Sequence, residues 1–243
     1  MARARAERNP WSDADVARHW DRVAEVYAAE NLRVAEAHAQ RFEVAVPLLE
    51  LAPGSRVLNV SSRDCEAEDF IRRACPEADV VHAEISGGLI ALAARLRPEA
   101  RQTKIATYAK LPFADAEFDR VLSLETLEHV AEPLAFLREL RRVARPGGLL
   151  VLSCPPRTAE IPYRLYTFLF GGHGEGPHRF LASREVKALL QEAGWKLERH
   201  FGTLLVPAGP RFLRRLGERA IERCQGTFVS ELGIRQFYVA RNP

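Results

Sequence analysis

The chain has 243 residues, 47% apolar and 28% charged, the make-up of a globular protein long enough for one large core. Lys+Arg 35 against Asp+Glu 32 leaves a formal charge of +3, too balanced to suggest a nucleic-acid partner, and the arginines are mostly interleaved with acids as on a solvated surface. No segment approaches the ~20 apolar residues that span a bilayer, and "MARARAERNPW" carries charge without a following apolar run, so a cytoplasmic protein with no stable membrane insertion is expected.

Residues 1–10 read as a flexible basic tail, and 11–243 as one domain. Ser12 is placed to cap a helix through about Glu30, with Val16, Trp20, Val23 and Tyr27 on one face. A second helical stretch runs from about Asn31 to Leu51, bent near Pro47, and residues 11–52 form an N-terminal helical layer or lid. From Arg56 the texture alternates. "RVLNVS", "ADVVHAEI", "TKIATY", "FDRVLSL" and "LLVLSC" read as strands, separated by the helical "CEAEDFIRRAC", "GGLIALAARL" and "EPLAFLRELRRVA". Short strands alternating with ten-residue helices build right-handed βαβ units, and strands apolar on both faces need a sheet covered on both sides. After Cys154 the rhythm breaks. Residues 155–182 are a long aromatic and glycine-rich connection, "SREVKALLQEAG" is a helix and "WKLERHFG" a strand. Residues 203–227 hold the amphipathic "RFLRRLGERAIERC", and "SELGIRQFYVARN" closes the chain as a strand. Cys65, Cys75, Cys154 and Cys224 show no CxxC spacing and read as reduced cysteines.

An open parallel sheet binds ligands beyond the carboxyl ends of its strands, where the strand order reverses. The residues after Val60 therefore face a ligand, and Glu84, ending the second strand, is placed to accept hydrogen bonds from both hydroxyls of a ribose. The bland alternative for Glu84 is a cap on the helix beginning near Ser86.

Several segments then share one pattern. Leu111-Pro112-Phe113, Phe118-Asp119, Leu127-Glu128-His129-Val130 and Arg145-Pro146-Gly147-Gly148 follow each other at the spacing found in class I S-adenosylmethionine-dependent methyltransferases of the small-molecule branch, which this chain resembles over roughly residues 16–241. "PHRFLASREVKALLQEAGW" resembles that family's later segment, and "WDRVAEVY" its aromatic lid helix. The resemblance implies a Rossmann-like α/β fold with seven strands, mostly parallel, the last antiparallel. It implies S-adenosyl-L-methionine as cofactor, held by Asn59, Ser61, Ser62 and Arg63 in the first loop, Glu84 and Ile85 at the ribose, Tyr108 and Ala109 at the adenine, and Leu124 and Glu125 at the end of the fourth strand. It places His129 in the turn facing the substrate.

The first loop departs from that pattern. Where the family reads D-x-G-x-G-x-G, this chain reads Asn59-Val60-Ser61-Ser62-Arg63-Asp64-Cys65, without the aspartate or any of the three glycines. Arg63 adds bulk where the cofactor's amino-acid end should lie, or a charge able to grip its carboxylate. Two readings stay open: methyl transfer with a reshaped pocket, or a catalytically silent protein of the same fold that binds a ligand or partner.

As an enzyme, the chain is expected to align a small-molecule or lipid-linked acceptor for in-line displacement and exclude water. His129 and His178 are the candidate bases, with His173 a further one, and an internal bond shaping its turn is an equal reading for His129. Trp20, Tyr27, Tyr163, Tyr166 and Phe212 are the candidate acceptor contacts. The arginine-rich helix carrying Phe212 could also rest on a membrane, though capping the core is the stronger expectation. His173, Glu175 and His178 match no tight metal site, and none is expected.

Overall fold

The computed structural model describes residues 11–33, 35–163, 179–206 and 211–243. The strands are β1 (Arg56–Val60), β2 (Asp79–Glu84), β3 (Gln102–Lys104), β4 (Phe118–Leu124), β5 (Ala144–Cys154), β6 (Lys196–Thr203) and β7 (Arg235–Arg241). They form one seven-stranded sheet in the order β3-β2-β1-β4-β5-β7-β6, with β7 antiparallel to both its neighbours and β1 to β5 parallel. The expected architecture is therefore the observed one. The order reverses between β1 and β4, whose ends are level because Val60 pairs with both Ala83 and Ser123.

The helices described are α1 (Asp13–Arg33), α2 (Ala35–Leu48), α3 (Ala67–Ala74), α4 (Gly87–Leu96), α5 (Pro133–Val143), α6 (Ser183–Glu192) and α7 (Arg211–Arg223). Strand alternation sorts the core into two layers. Leu58, Val60, Val81 and Val121 face Leu89 of α4, Phe136 and Leu140 of α5 and Val186 of α6. Val57, Val80, Leu122 and Val151 face Phe42 and Val46 of α2 and Ile71 of α3. Helix α1 joins the first layer, burying Val16, Trp20, Val23 and Tyr27 as the spacing predicts, and Ala24 with them.

Much of the recurring pattern proves to be scaffold. Asp119 accepts from the Arg56 backbone N–H at 2.8 Å and from Arg145 Nη1 at 2.7 Å, tying the starts of β1 and β4 to the Arg145–Gly148 turn. That turn needs its glycines: Gly147 has φ +77°, and a Cβ on Gly148 would meet the Arg145 carbonyl at 2.8 Å. Trp195 donates Nε1–H to the Leu137 carbonyl at 2.9 Å, locking α6 against α5.

Four boundaries differ from the sequence reading, one of them at β7, which begins at Arg235 after a 3-10 turn over Phe228–Leu232. β3 stops at Lys104, because Ile105 makes one more bond to the Glu84 carbonyl and the chain then turns. β5 begins at Ala144, so the Arg145–Gly148 turn lies within its span and not before it. The second helix starts at Ala35 and ends at Leu48, because Pro47, which has no N–H to give the Glu43 carbonyl, disfavours continuation and the helix stops one residue later.

Candidate active site

The loop after β1 explains how a chain without glycines can make a glycine loop. Ser61, Arg63 and Cys65 have φ of 56°, 53° and 62°, all left-handed, at alternate positions where the family pattern has glycine. Side chains there are strained by roughly 1–2 kcal/mol each. The surroundings hold the shape. Ser62 N–H donates to the Ala83 carbonyl at 3.2 Å, Arg63 N–H to Glu84 Oε2 at 2.8 Å, and Gln102 Nε2 to Ser62 Oγ at 2.8 Å and the Arg63 carbonyl at 3.0 Å. Ser61 Oγ donates to the Tyr108 hydroxyl at 3.0 Å. Burial pushes the Cys65 thiol up to about 12, which removes it as a nucleophile.

Glu84 is fully buried at the end of β2. Its Oε1 accepts from the Ile85 and Ser86 backbone N–H groups at 2.8 and 2.9 Å, and its Oε2 from Arg63. The capping of α4 belongs to Ser86, whose Oγ accepts from Leu89 N–H at 3.1 Å. Asn59 points to the other face of the sheet, where its Nδ2 meets His82 Nδ1 at 3.1 Å and His82 Nε2 meets Glu68 Oε2 at 2.7 Å.

Helix α1 lies over these strand ends and is latched at two points that sequence reading missed. Asp13 Oδ2 accepts from Thr107 Oγ1 at 2.5 Å and Tyr108 N–H at 2.9 Å. Asp21 Oδ1 accepts from Ser86 Oγ at 2.7 Å and Gly88 N–H at 2.9 Å. Asp13 stands one heptad before Trp20, which was the available signal; Asp21 left none. Between the latches the Arg63 guanidinium lies 3.6 Å from the Trp20 ring centre, and both side chains are buried. Burial, then Glu84, raises the Tyr108 hydroxyl, so it stays protonated.

The wall beyond β4 is polar. Glu125, itself left-handed at φ 51°, accepts from Ser153 Oγ at 2.6 Å and Arg235 Nε at 3.2 Å, and Arg235 Nη1 donates to Gln40 Oε1 at 3.0 Å. Leu124 is buried beside it. His38 Nε2 meets Glu66 Oε2 at 2.6 Å, and burial, with Arg41 adding to it, lowers its pKa from the usual 6.5. His129 is buried in the turn after β4, its ring perpendicular to Trp20 at 5.8 Å, and its backbone N–H donates to the Thr126 carbonyl at 2.9 Å. Thus Trp20, Tyr27, Ser61, Arg63, Glu84, Tyr108 and His129, all buried, fill the crevice between α1 and the strand ends, Trp20 meeting Tyr27, Arg63 and His129. Ala109 lines a cleft beside it with Ser12, Asp13, Thr107, Tyr108 and Ala131. Tyr163 stacks obliquely with Phe180 at 5.8 Å, Phe212 is exposed, and Tyr166, His173, Glu175 and His178 lie outside the described residues. Among the described residues no group of His, Cys, Asp or Glu is arranged to hold a metal.

This fold with this crevice defines the Rossmann-like methyltransferase class. Residues 61–152 match the family described as "Methyltransferase domain". A demethylmenaquinone methyltransferase of Beutenbergia cavernae is 32% identical over 225 residues, 81% of this chain and 88% of that protein. Another from Parafrankia is 32% identical over 190 residues, covering 67% and 73%. Among solved structures, the methyltransferase chain of a Haloferax volcanii complex with the Trm112 activator superposes with a TM-score of 0.70 at 15% identity, over 92% of this chain and 97% of that one. A geranyl diphosphate methyltransferase aligns at 0.64 with 14% identity, over 95% and 99%. These two bear on the fold alone. The chain belongs to the class I S-adenosylmethionine-dependent methyltransferases and is an enzyme of their small-molecule branch.

The residues present fit the family's cofactor. A carboxylate has room for about four hydrogen bonds and Glu84 uses three, which leaves room for one ribose hydroxyl and not the two that the sequence suggests. Arg63 Nη1 is buried with no hydrogen-bond partner, a donor suited to a carboxylate. The cleft at Thr107–Ala109 gives a flat nucleobase a wall. The condition is that Arg63 and Trp20 move, because Glu84 is fully buried and the paired Arg63 and Trp20 side chains are buried too.

Proposed function

We propose that the chain holds S-adenosylmethionine at these strand ends and methylates a lipid-linked aromatic acceptor. The observation that carries this is the left-handed backbone at Ser61, Arg63 and Cys65, which keeps the family's cradle where the glycines are gone. The acceptor class comes from the relatives named demethylmenaquinone methyltransferases.

When bound, the cofactor supplies an electrophilic methyl on a sulfonium. Arg63, whose buried Nη1 lacks a hydrogen-bond partner, would grip the carboxylate of the amino-acid end. Glu84 takes the ribose edge with Ile85 beside it, and Tyr108 and Ala109 bound the adenine. Ser61 and Ser62 shape the floor. Leu124 and Glu125 close the far wall, Glu125 fixed by Ser153 and Arg235. Trp20 and Tyr27 exclude water once α1 has closed. His129 takes the acceptor's hydroxyl proton, so that electron density rises on the ring or oxygen that attacks. Tyr163, Tyr166 and Phe212 belong to the acceptor side, and His178 is a second imidazole for the same role. Cys65, Cys75, Cys154 and Cys224 are free thiols, which supports a reducing cytoplasmic setting.

Calorimetry with S-adenosylhomocysteine, followed by transfer of labelled methyl to a demethylmenaquinol in micelles, tests the proposal. Micromolar binding with acceptor-dependent transfer is expected. Absence of binding at millimolar ligand sinks the cofactor assignment, and binding without transfer sinks the acceptor.

A further inference from the structure

Five of the eight large apolar side chains exposed among the described residues fall between residues 212 and 232. Phe212, Leu213 and Leu216 are on α7; Phe228 and Leu232 are on the 3-10 turn (Phe228–Leu232) that packs beside it. Their exposure is not that of a loose segment. The inner face of α7 is fixed: Ile221 is fully buried, Gly217 lies against Val206, and Glu218 Oε1 accepts from the Leu204 N–H at 2.8 Å. The turn is held as firmly. Gln236 Nε2 donates to the Ser230 and Gly233 carbonyls at 2.9 and 3.0 Å, and Thr158 Oγ1 to the Glu231 carbonyl at 2.6 Å.

A helix on a globular surface should turn polar residues outward. Here Phe212 is 67% exposed, Leu216 61% and Phe228 71%. At 100° per residue, Phe212, Leu216, Arg219 and Arg223 share the outward face and Arg215 flanks it. The helix carries five arginines against two glutamates. Large apolar groups interspersed with arginines on one rigid face match a bilayer whose surface is anionic: the apolar groups enter the acyl boundary and the guanidiniums meet lipid phosphates. We infer that α7 and the adjoining turn dock the enzyme on an anionic membrane surface. This rests on the lipid-linked acceptor proposed above and gives it a route. From Glu218 a bonded series leads through Gln40 Nε2 (3.4 Å) and Arg235 (3.0 Å) to Glu125 in the crevice wall, so the docking helix is also the back of the acceptor side.

The test is sedimentation of the full chain with sucrose-loaded vesicles, without cofactor or acceptor. Vesicles containing phosphatidylglycerol should retain the protein about tenfold more strongly than pure phosphatidylcholine, with the excess lost in high salt. Leu216→Ser/Phe228→Ser/Leu232→Ser, at three exposed positions, should abolish binding to both, and Arg215→Glu/Arg219→Glu/Arg223→Glu should abolish the anionic preference. Thermal unfolding verifies each fold, and the charge-reversed chain, changed only at exposed positions, stands alone if the first variant fails to fold. Wild-type protein that stays in solution with anionic vesicles at low salt overturns the inference. So does a wild-type dimer that the apolar variant turns into a monomer, which would make the patch a contact between two copies. Transfer to a water-soluble short-chain acceptor should be untouched by either variant. Loss of vesicle binding with that transfer intact is a membrane effect, whereas wild-type vesicle binding with no transfer to any acceptor indicts the proposed chemistry alone.

Discussion

The guanidinium of Arg63 lies 3.6 Å from the centre of the Trp20 ring, joining the loop after β1 to the helix above it. A cation–π pair this desolvated is worth about 2 kcal/mol, and it holds α1 down over the strand ends. On the proposed reading, cofactor binding exchanges that pair for a charge-assisted bond to the cofactor's carboxylate. Arg63→Ala is therefore expected to weaken S-adenosylhomocysteine about tenfold or more, the value of one hydrogen bond to a charged group. Methylthioadenosine, which lacks the carboxylate, should bind no worse and could gain from the added space. Calorimetry with both ligands decides it: equal losses would mean that Arg63 shapes the loop and grips nothing.

The left-handed residues make a prediction with an unusual sign. In most contexts alanine is more stable than glycine, but at Ser61, φ 56°, the Cβ is the liability. Ser61→Ala keeps the strain and loses the hydroxyl bond to Tyr108. Ser61→Gly loses the same bond and relieves the strain. The glycine variant should be the more stable of the two by about 1 kcal/mol, read from urea unfolding midpoints. The opposite order would show that the loop relaxes out of this conformation.

Asp21 anchors the middle of α1 to the start of α4 through Ser86 and Gly88. Burial pushes its carboxyl up, but the Gly88 and Ser86 bonds and the Lys104 charge outweigh it and hold the pKa below the ordinary 3.8. A carboxylate depressed on folding stabilises at every pH above its unfolded value, and the contribution fades as pH falls through the folded one. Asp21→Ala should cost about 1 kcal/mol equally at pH 7 and pH 5, and progressively less below pH 4. Hydrogen exchange in α1 should rise with it. A cost that already shrinks between pH 7 and pH 5 would assign the effect to another group.

The sheet was readable because its strands are apolar on both faces and its helices are short and periodic. The crevice was readable because Glu84 and the post-β1 loop must sit at the carboxyl ends of β2 and β1. What stayed hidden has physical causes. Asn59 and His82 carry polar side chains on an apolar-looking pair of strands, and only the pairing with Glu68 on α3 shows that they satisfy each other. Phe118-Asp119 and the Arg145–Gly148 turn looked like part of the site pattern, yet they tie strands together at the opposite end of the sheet. Asp13, Asp21, Arg41 and Arg235 come from elements distant in sequence, and no local spacing announces such meetings.

Asp13 also brings a carboxylate to the edge of the cleft at Thr107–Ala109. The Thr107 hydroxyl accepts from an amino group less strongly than a carboxylate does. In this chain the carboxylate arrives from α1: Asp13 Oδ2 sits on Thr107 Oγ1 and the Tyr108 N–H, at the edge of the cleft that Ala109 lines. An acceptor there favours an amino group and repels a carbonyl. S-adenosylhomocysteine should therefore bind the wild type at least about tenfold better than its 6-oxo inosine counterpart, whose exposed oxygen would face the carboxylate without a proton between them. Asp13→Asn presents both an acceptor and donors, so the preference should collapse toward unity while the binding of neither ligand disappears. Competition calorimetry with the two nucleosides reads the ratio directly. A ratio unchanged in Asp13→Asn would place the nucleobase away from Thr107 and leave Asp13 as a latch for α1 alone.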